Sequence, residues 1–356
     1  MKIVFRTDAS SQIGTGHFMR CLTLADELKK QGVQISFISR NLPVHLSVML
    51  TEKGMEYLPL SIDEAVEALD DLTHASWLGT SQFQDAQATV KVLANHLWDW
   101  IIVDHYALDA RWEKAVRAKC KKLMVIDDLA DRQHDCDVLL DQNYYADMQT
   151  RYISKVPAHC ELLLGPRYAL LREEFRTLRD KVKVRTGDVK KILVFFGGVD
   201  SGNYTSLAIQ ALAELNSKQQ VDVVIGVQHP NQEQIQQACI NHGFICHVQT
   251  TRMAELMAEA DLAIGAGGSA SWERCCLGLP GLLVAVAGNQ VEIAKALDSI
   301  RACYYLEEED RLNSGSLKHS INELLVAPEQ VLSISQQAFS LVDGFGVKRV
   351  SETLGF

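Results

Sequence analysis

Lys2-Ile3-Val4-Phe5-Arg6-Thr7, followed by Gly14-Thr15-Gly16-His17, opens the chain. A β-branched, apolar run breaks into glycines just where a helical pattern starts near His17, which reads as strand, tight turn, helix. The same grammar returns at Asp261-Leu262-Ala263-Ile264 followed by Gly265-Ala266-Gly267-Gly268-Ser269, with a helix opening near Ser271. The first backbone N–H groups of a helix are unpaired and its dipole is positive there, so each break suits an anion. Only the first break carries an ionisable imidazole. One break supplies chemistry and the other a cradle, the layout of an enzyme acting on a phosphate-bearing substrate.

Outward from these breaks, short β-branched or aromatic runs alternate with amphipathic helical stretches, the signature of parallel βαβ units. Strands are expected near 2–7, 34–39, 57–60, 100–103, 122–126 and 161–164, with helices near 17–31, 43–52, 82–96 and 110–119. A charged helix from Leu171 and a basic, apolar-poor stretch up to Lys190 form a connector. Beyond it strands recur near 192–196, 221–225, 244–248, 262–264, 281–284 and 302–305, and helices close the chain near 314–325, 328–338 and 347–354. The expected organisation is a Rossmann-like domain over 1–170, a linker over 171–190 and a second, nucleotide-binding Rossmann-like domain over 191–356. Two doubly wound sheets of this class bind ligands at the carboxyl ends of their strands, so the cleft between the domains is the expected site.

Composition narrows the function. The chain has 356 residues, enough for two cores, with 47% hydrophobic and 22% charged residues. A net charge of −10 without a basic stripe argues against nucleic acid and against an acidic membrane surface as partners. Nine scattered cysteines without a CxxC pair read as reduced thiols, and no apolar run is long enough to span a bilayer, so a cytoplasmic protein is expected. Nothing in the sequence sets the oligomeric state.

At the first break the third glycine of a dinucleotide fingerprint is replaced by Met19, and no Lys-Ser/Thr of a phosphate-binding P-loop follows, so neither NAD nor ATP is indicated and no cofactor is expected. Arg6, Asp8, Ser10 and Ser11 crowd the same strand end, more polar groups than a turn needs, and Arg6 and Asp8, with Gly14 and Gly16, are candidate substrate contacts. Asp104-His105-Tyr106 ends another strand and is read the same way, although Asp104 would also serve as a helix cap and His105 as a solvated residue. Asp128, by contrast, reads as a structural cap. Asp135-Cys136-Asp137 spells a D-x-D pattern, but hard cations need several converging oxygens, and surface carboxylates are the simpler reading; no metal is expected.

In the second half, Gly197-Gly198 ends a strand where backbone can approach phosphate or ribose, while Asp200, Ser201 or Asn203 suffices as an N-cap. Gly267, Gly268 and Ser269 form the cradle for a pyrophosphate, and Glu273, one turn into the helix, is placed to accept from ribose hydroxyls. Asn289 and Gln290 open a further helix, where amides suit sugar hydroxyls or acetamido groups.

Together, Arg6-Thr7-Asp8-Ala9-Ser10, Ile13-Gly14-Thr15-Gly16-His17, Val103-Asp104-His105-Tyr106, Ile126-Asp127-Asp128-Leu129-Ala130, Phe196-Gly197-Gly198, Gly265-Ala266-Gly267-Gly268-Ser269 with Trp272-Glu273-Arg274, and Gly288-Asn289-Gln290 resemble the UDP-sugar hydrolase family of pseudaminic acid biosynthesis. The glycine loops are shared with wider glycosyltransferase-like enzymes, including the lipid-linked murein precursor transferase. The resemblance implies a GT-B architecture with UDP held mainly by the C-terminal domain. It implies metal-independent hydrolysis of UDP-2,4-diacetamido-2,4,6-trideoxy-β-L-altropyranose to the free sugar and UDP, on the way to a nonulosonic acid for flagellin or surface polysaccharide. His17 matches the family's catalytic histidine, Asn289 its amide contact near the sugar, and Tyr106 falls in its substrate-lining motif. A glycosyltransferase using the same donor and a non-catalytic nucleotide-sugar-binding module are the competing readings.

Overall fold

The computed structural model describes residues 1–10, 12–61, 70–94, 96–182, 184–215, 218–306 and 312–356; Ser11 lies outside them. The chain divides into two compact units, one of residues 1–143, 147–170 and 346–356, the other of residues 144–146 and 171–345.

The first unit runs β1 (Lys2–Thr7), α1 (Gly16–Lys30), β2 (Gln34–Ser39), α2 (Val44–Glu52), β3 (Glu56–Pro59), α3 (Gln82–Val92), β4 (Trp98–Asp104), α4 (Ala110–Val116), β5 (Cys120–Ile126), β6 (Val138–Asp141) and β7 (Glu161–Leu164). Its seven strands are all parallel, in the order β3-β2-β1-β4-β5-β6-β7. Side chains alternate between two cores with the period of the pleat. Ile3 and Phe5, Trp100 and Ile102, and Met124 and Ile126 enter one core with Phe18, Cys21, Leu24 and Leu28 of α1. Val4, Ile101 and Val103, and Leu123 and Val125 enter the other with Ala86 of α3 and Trp112 of α4. β6 is absent from the sequence expectation because its run, Val138-Leu139-Leu140, is short and buried on both faces, without alternation.

The second unit runs α5 (Glu173–Arg179), β8 (Lys191–Phe195), α6 (Tyr204–Glu214), β9 (Gln220–Ile225), α7 (Gln232–His242), β10 (Ile245–Val248), α8 (Met253–Glu259), β11 (Leu262–Ala266), α9 (Ala270–Cys276), β12 (Gly281–Val284), α10 (Gly288–Ser299), β13 (Tyr304–Tyr305), α11 (Ser314–Leu325) and α12 (Pro328–Leu341). Its six parallel strands follow the order β10-β9-β8-β11-β12-β13 around a core of Ile192, Val194, Val223, Ile264 and Leu282. Both units are thus doubly wound α/β domains.

The last helix, α13 (Gly346–Thr353), departs from the expected boundary: it belongs to the first unit, not to a C-terminal domain over 191–356. Val347, Val350 and Leu354 complete the core around α1, and Trp100 Nε1 donates to the Leu354 carbonyl at 3.2 Å. The expected linker differs too, since α5 folds within the second unit.

In each sheet the chain reverses direction of winding between the first and fourth strands of that sheet, β1/β4 and β8/β11. Loops leaving such a pair diverge to opposite faces and open a crevice, the switch point where doubly wound sheets take ligands. The His17 break follows β1 and Asp104 ends β4. Gly197-Gly198 follows β8 and the Gly265 to Ser269 loop ends β11.

Candidate functional site

The β1–α1 turn is set by two residues. Gly14 has φ +76°, a left-handed conformation that side chains disfavour, and its N–H donates to the Ser10 carbonyl at 2.8 Å. Ser10 Oγ accepts from the N–H groups of Gln12 and Ile13 at 3.2 and 3.1 Å, so Ser10 shapes the turn. This turn starts α1 at Gly16 and places His17 and Arg20 on one face, three residues apart.

Both reach the end of β4. His17 Nδ1 lies 2.6 Å from Asp104 Oδ1, and Arg20 Nε and Nη2 donate to the two oxygens of Asp104 at 2.6 and 2.7 Å. Asp104 is fully buried. Burial alone would raise its carboxyl, but Arg20 and His17 outweigh that and hold it well below the usual carboxylate range. Arg20 Nη2 also approaches His17 Nδ1, at the longer distance of 3.2 Å. Since an ionised carboxylate only accepts, the shorter contact puts a proton on Nδ1 and leaves the lone pair on Nε2. Arg20 further donates to Asp128 at 3.0 Å, Tyr106 donates its hydroxyl to the same carboxylate, and Asn143 Nδ2 donates there at 3.2 Å. Asp128 is therefore a hub of this network and not the helix cap expected.

Of the residues expected to contact substrate, His17 and Tyr106 come together, their rings edge to face at 4.5 Å between centroids. Asp104, expected to contact substrate, is instead fully buried and taken up by His17 and Arg20. Arg6 and Asp8 are also corrected. Arg6 is fully buried, bidentate to Asp85 at 3.2 and 2.8 Å and paired with Asp8 at 2.9 Å. Asp8 accepts from Ser39 Oγ and the Arg40 N–H, both at 2.7 Å. Burial of these charges is tolerable because each is matched, and the pair braces β1 against β2 and α3. His105 is buried with Nε2 3.2 Å from Asp8 and Nδ1 accepting from the Ala107 N–H at 3.1 Å, so it belongs to that brace. Asp137 forks with Arg117 at 2.6 and 2.9 Å and accepts from the Leu123 N–H at 2.7 Å, which commits it to structure.

In the second unit, β11 and β8 touch so closely that a Cβ on Gly265 would fall 2.1 Å from the Phe195 carbonyl oxygen. Gly265 is thus a packing glycine. Gly198 accepts at its carbonyl from the Gly226 N–H at 2.9 Å, and a Cβ on Gly198 would meet only the Gly226 Cα at 4.0 Å, while Gly197 has φ +106° and no neighbour within 4 Å of a built Cβ. A Cβ on Gly267 or Gly268 meets Gln290 atoms at no less than 3.5 Å, ordinary contact, so packing does not demand glycine at either position. Ser269 is exposed at the start of α9, with no side-chain cap bond. Gln290 Oε1 accepts from the Val286 N–H at 3.1 Å, holding the start of α10 against this loop, and Asn289 beside it is exposed. Glu273 faces Arg172 at 3.4 Å; burial pushes its carboxyl up against the pull of that guanidinium. Asp200 caps α6 through the Tyr204 and Thr205 N–H groups at 3.1 and 2.8 Å.

Arg274 is part of the motif quoted above but has no role assigned from sequence. Its buried guanidinium donates to the Ala266 carbonyl at 2.7 Å and Ser271 Oγ at 2.9 Å, fixing the glycine loop from beneath. The sequence reading missed His74 and Trp77, whose rings pack beside Tyr106. An arginine inside an apolar helix face, next to Glu273, was the available signal for the first; isolated aromatics in a polar stretch gave little for the others.

Residues 192–352 match the glycosyltransferase family 28 C-terminal domain. The chain is 29% identical to the UDP-2,4-diacetamido-2,4,6-trideoxy-β-L-altropyranose hydrolase of Campylobacter jejuni over 74% of its length and 84% of the relative's. The chain is homologous to this hydrolase. It is also 22% identical to the spore coat polysaccharide biosynthesis protein SpsG of Bacillus subtilis, covering 99% of this chain and 98% of that one. Acinetobacter baumannii MurG shares the fold, with a TM-score of 0.65, 14% identity and 99% and 98% of the two chains covered. The architecture is GT-B, two Rossmann-like domains, as expected from sequence. Among the described residues no helix is long and apolar enough to cross a membrane.

Proposed function

We propose that this chain is a nucleotide-sugar hydrolase that splits a UDP-linked 2,4-diacetamido-2,4,6-trideoxy sugar into the free sugar and UDP, in the biosynthesis of pseudaminic acid. The observation that carries the reading is the 2.6 Å contact of His17 Nδ1 with the buried Asp104 carboxylate, at the switch point of the first sheet. It makes Nε2 a base of fixed tautomer. His17 Nε2 takes a proton from water as the water oxygen attacks C1, and the C1–O bond to phosphate breaks, releasing UDP. Such a base contributes about 10²–10⁴-fold. Asp104 stabilises the imidazolium and keeps its ring in place, as the third member of a catalytic triad does, and Arg20 holds the Asp104 carboxylate in position.

UDP leaves with its charge, which the N–H groups of the 267–269 loop stabilise without a metal, with Glu273 toward the ribose and Asn289 and Gln290 toward acetamido groups. The homology to the Campylobacter hydrolase supports this substrate class. A second reading, glycosyl transfer in which His17 deprotonates an acceptor hydroxyl, is favoured by the fold shared with MurG. Incubation with a UDP-sugar and no acceptor tests the proposal: UDP release is expected, and release only when an acceptor is added would refute it.

A further inference from the structure

Four rings meet at the candidate base. Besides the His17–Tyr106 contact, Trp77 stacks on Tyr106 at 5.5 Å and 25°, His74 lies 5.2 Å from Tyr106 and 4.6 Å from Trp77, and Trp77 is 6.3 Å from His17. Of the chain's five tryptophans, Trp98, Trp100, Trp112 and Trp272 are buried at 5% exposure or less, whereas Trp77 is half-buried. A tryptophan placed for packing would be covered like the other four. One left open beside a catalytic imidazole presents an apolar face to whatever the imidazole acts on.

The cluster also lacks a free charge. Burial lowers the His74 pKa, favouring a neutral imidazole, and its Nδ1 has no hydrogen-bond partner among the described residues. Arg132, 5.9 Å over the Tyr106 ring, is committed to Asp127 and Asp131, each at 2.8 Å. Aliphatic C–H groups of a sugar suit such a wall. The ring faces offer a hydroxyl no hydrogen-bond partner, so an added hydroxyl laid against them would lose water without gaining one.

We propose that Trp77, with His74 and Tyr106, forms an aromatic wall that takes the methyl-bearing face of a 6-deoxy sugar and selects it over the 6-hydroxy form. This rests on the hydrolase reading for the position of the sugar beside His17. Trp77 and His74 act as specificity residues and take no part in proton transfer.

The test uses the full chain with two probes, UDP-N-acetylglucosamine and its 6-deoxy analogue. Acrylamide quenching of tryptophan emission is read in the His17→Ala variant, so that no turnover interferes. The 6-deoxy analogue is expected to cut quenching of the accessible tryptophan at least about twofold where UDP alone does not, and Trp77→Phe is expected to remove most of the quenchable emission. In enzyme with His17 intact, Trp77→Ala is expected to lower kcat/KM for the 6-deoxy probe by about tenfold or more while changing that for the 6-hydroxy probe less than about threefold, and Trp77→Phe to retain most of the preference. Protection without any hydrolysis by the intact enzyme would sustain the wall and sink the hydrolase reading. Hydrolysis with Trp77 unprotected, and with Trp77→Ala lowering both probes equally, would overturn the wall alone.

Discussion

His17 Nδ1 and Asp104 Oδ1 are 2.6 Å apart, although 86 residues lie between them in sequence, because β1 and β4 pair in parallel with Thr7 opposite Asp104. The first turn of α1 then overlies the end of β4. In the proposed mechanism this pairing makes Asp104 the orienting residue for His17, a role testable without disturbing UDP. Asp104→Asn is expected to lower kcat by about 10²-fold or more, since the neutral amide offers a donor and an acceptor and no longer dictates one tautomer. UDP affinity measured by calorimetry stays near normal. A loss of UDP affinity matching the loss of kcat would make Asp104 a scaffold for the whole protein.

The glycine loop is tested by a substitution the fold can accept. A Cβ at Gly268 makes only ordinary contact, 3.5 Å from Gln290 Nε2. Gly268→Ala should therefore fold like the wild type and weaken UDP binding by about tenfold, because the added methyl occupies the approach to the diphosphate. Glu273→Ala is expected to weaken binding less. If both variants bind UDP like the wild type, the cradle lies elsewhere.

Stability has a pH dependence traceable to His134. Burial opposes its charge, but Glu113, 2.7 Å from Nδ1, and Asp127 outweigh that and push its pKa up to about 9. A folded value above the unfolded value of about 6.5 means the contribution is complete below about pH 6.5 and is lost as pH rises through about 9. Urea denaturation at pH 6, 7.5 and 9 should show this decline, and His134→Gln should flatten it over that window. An unchanged slope in the variant would remove His134 as the cause.

The proposed metal independence has a direct check. Asp137 is tied to Arg117, so the Asp135/Asp137 pair is not poised for a cation. Excess EDTA is expected to leave UDP release within about twofold, and Asp135→Asn to change turnover little, as for other half-exposed carboxylates. Activity abolished by EDTA and restored by Mn²⁺ would refute the backbone-held diphosphate.

Much of this was readable in the chain. The β1 strand, the Gly14 turn and His17 follow from local pattern, since turn and helix start depend on neighbouring residues, and the glycine loop after β11 was legible for the same reason. The roles of Arg6, Asp8 and His105 were not. A charged residue at a strand end looks alike whether it meets a ligand or a buried partner, and Asp85, which holds Arg6, lies 79 positions away. The partners of Asp104 are not legible locally, because strand order brings His17 and Arg20 to it. The placement of α13 in the first unit likewise depends on a distant surface, the core around α1, that no local pattern announces.

Activation of water by His17 for attack at C1 can be read from the fate of the water oxygen, by running the reaction on the 6-deoxy, diacetamido UDP-sugar in H₂¹⁸O, without acceptor, and locating the label by mass spectrometry. The expected result is one ¹⁸O in the free sugar and none in UDP, with the rate reduced about 10²-fold or more in His17→Ala. Label in the UDP phosphate, or an undiminished rate in His17→Ala, would contradict it.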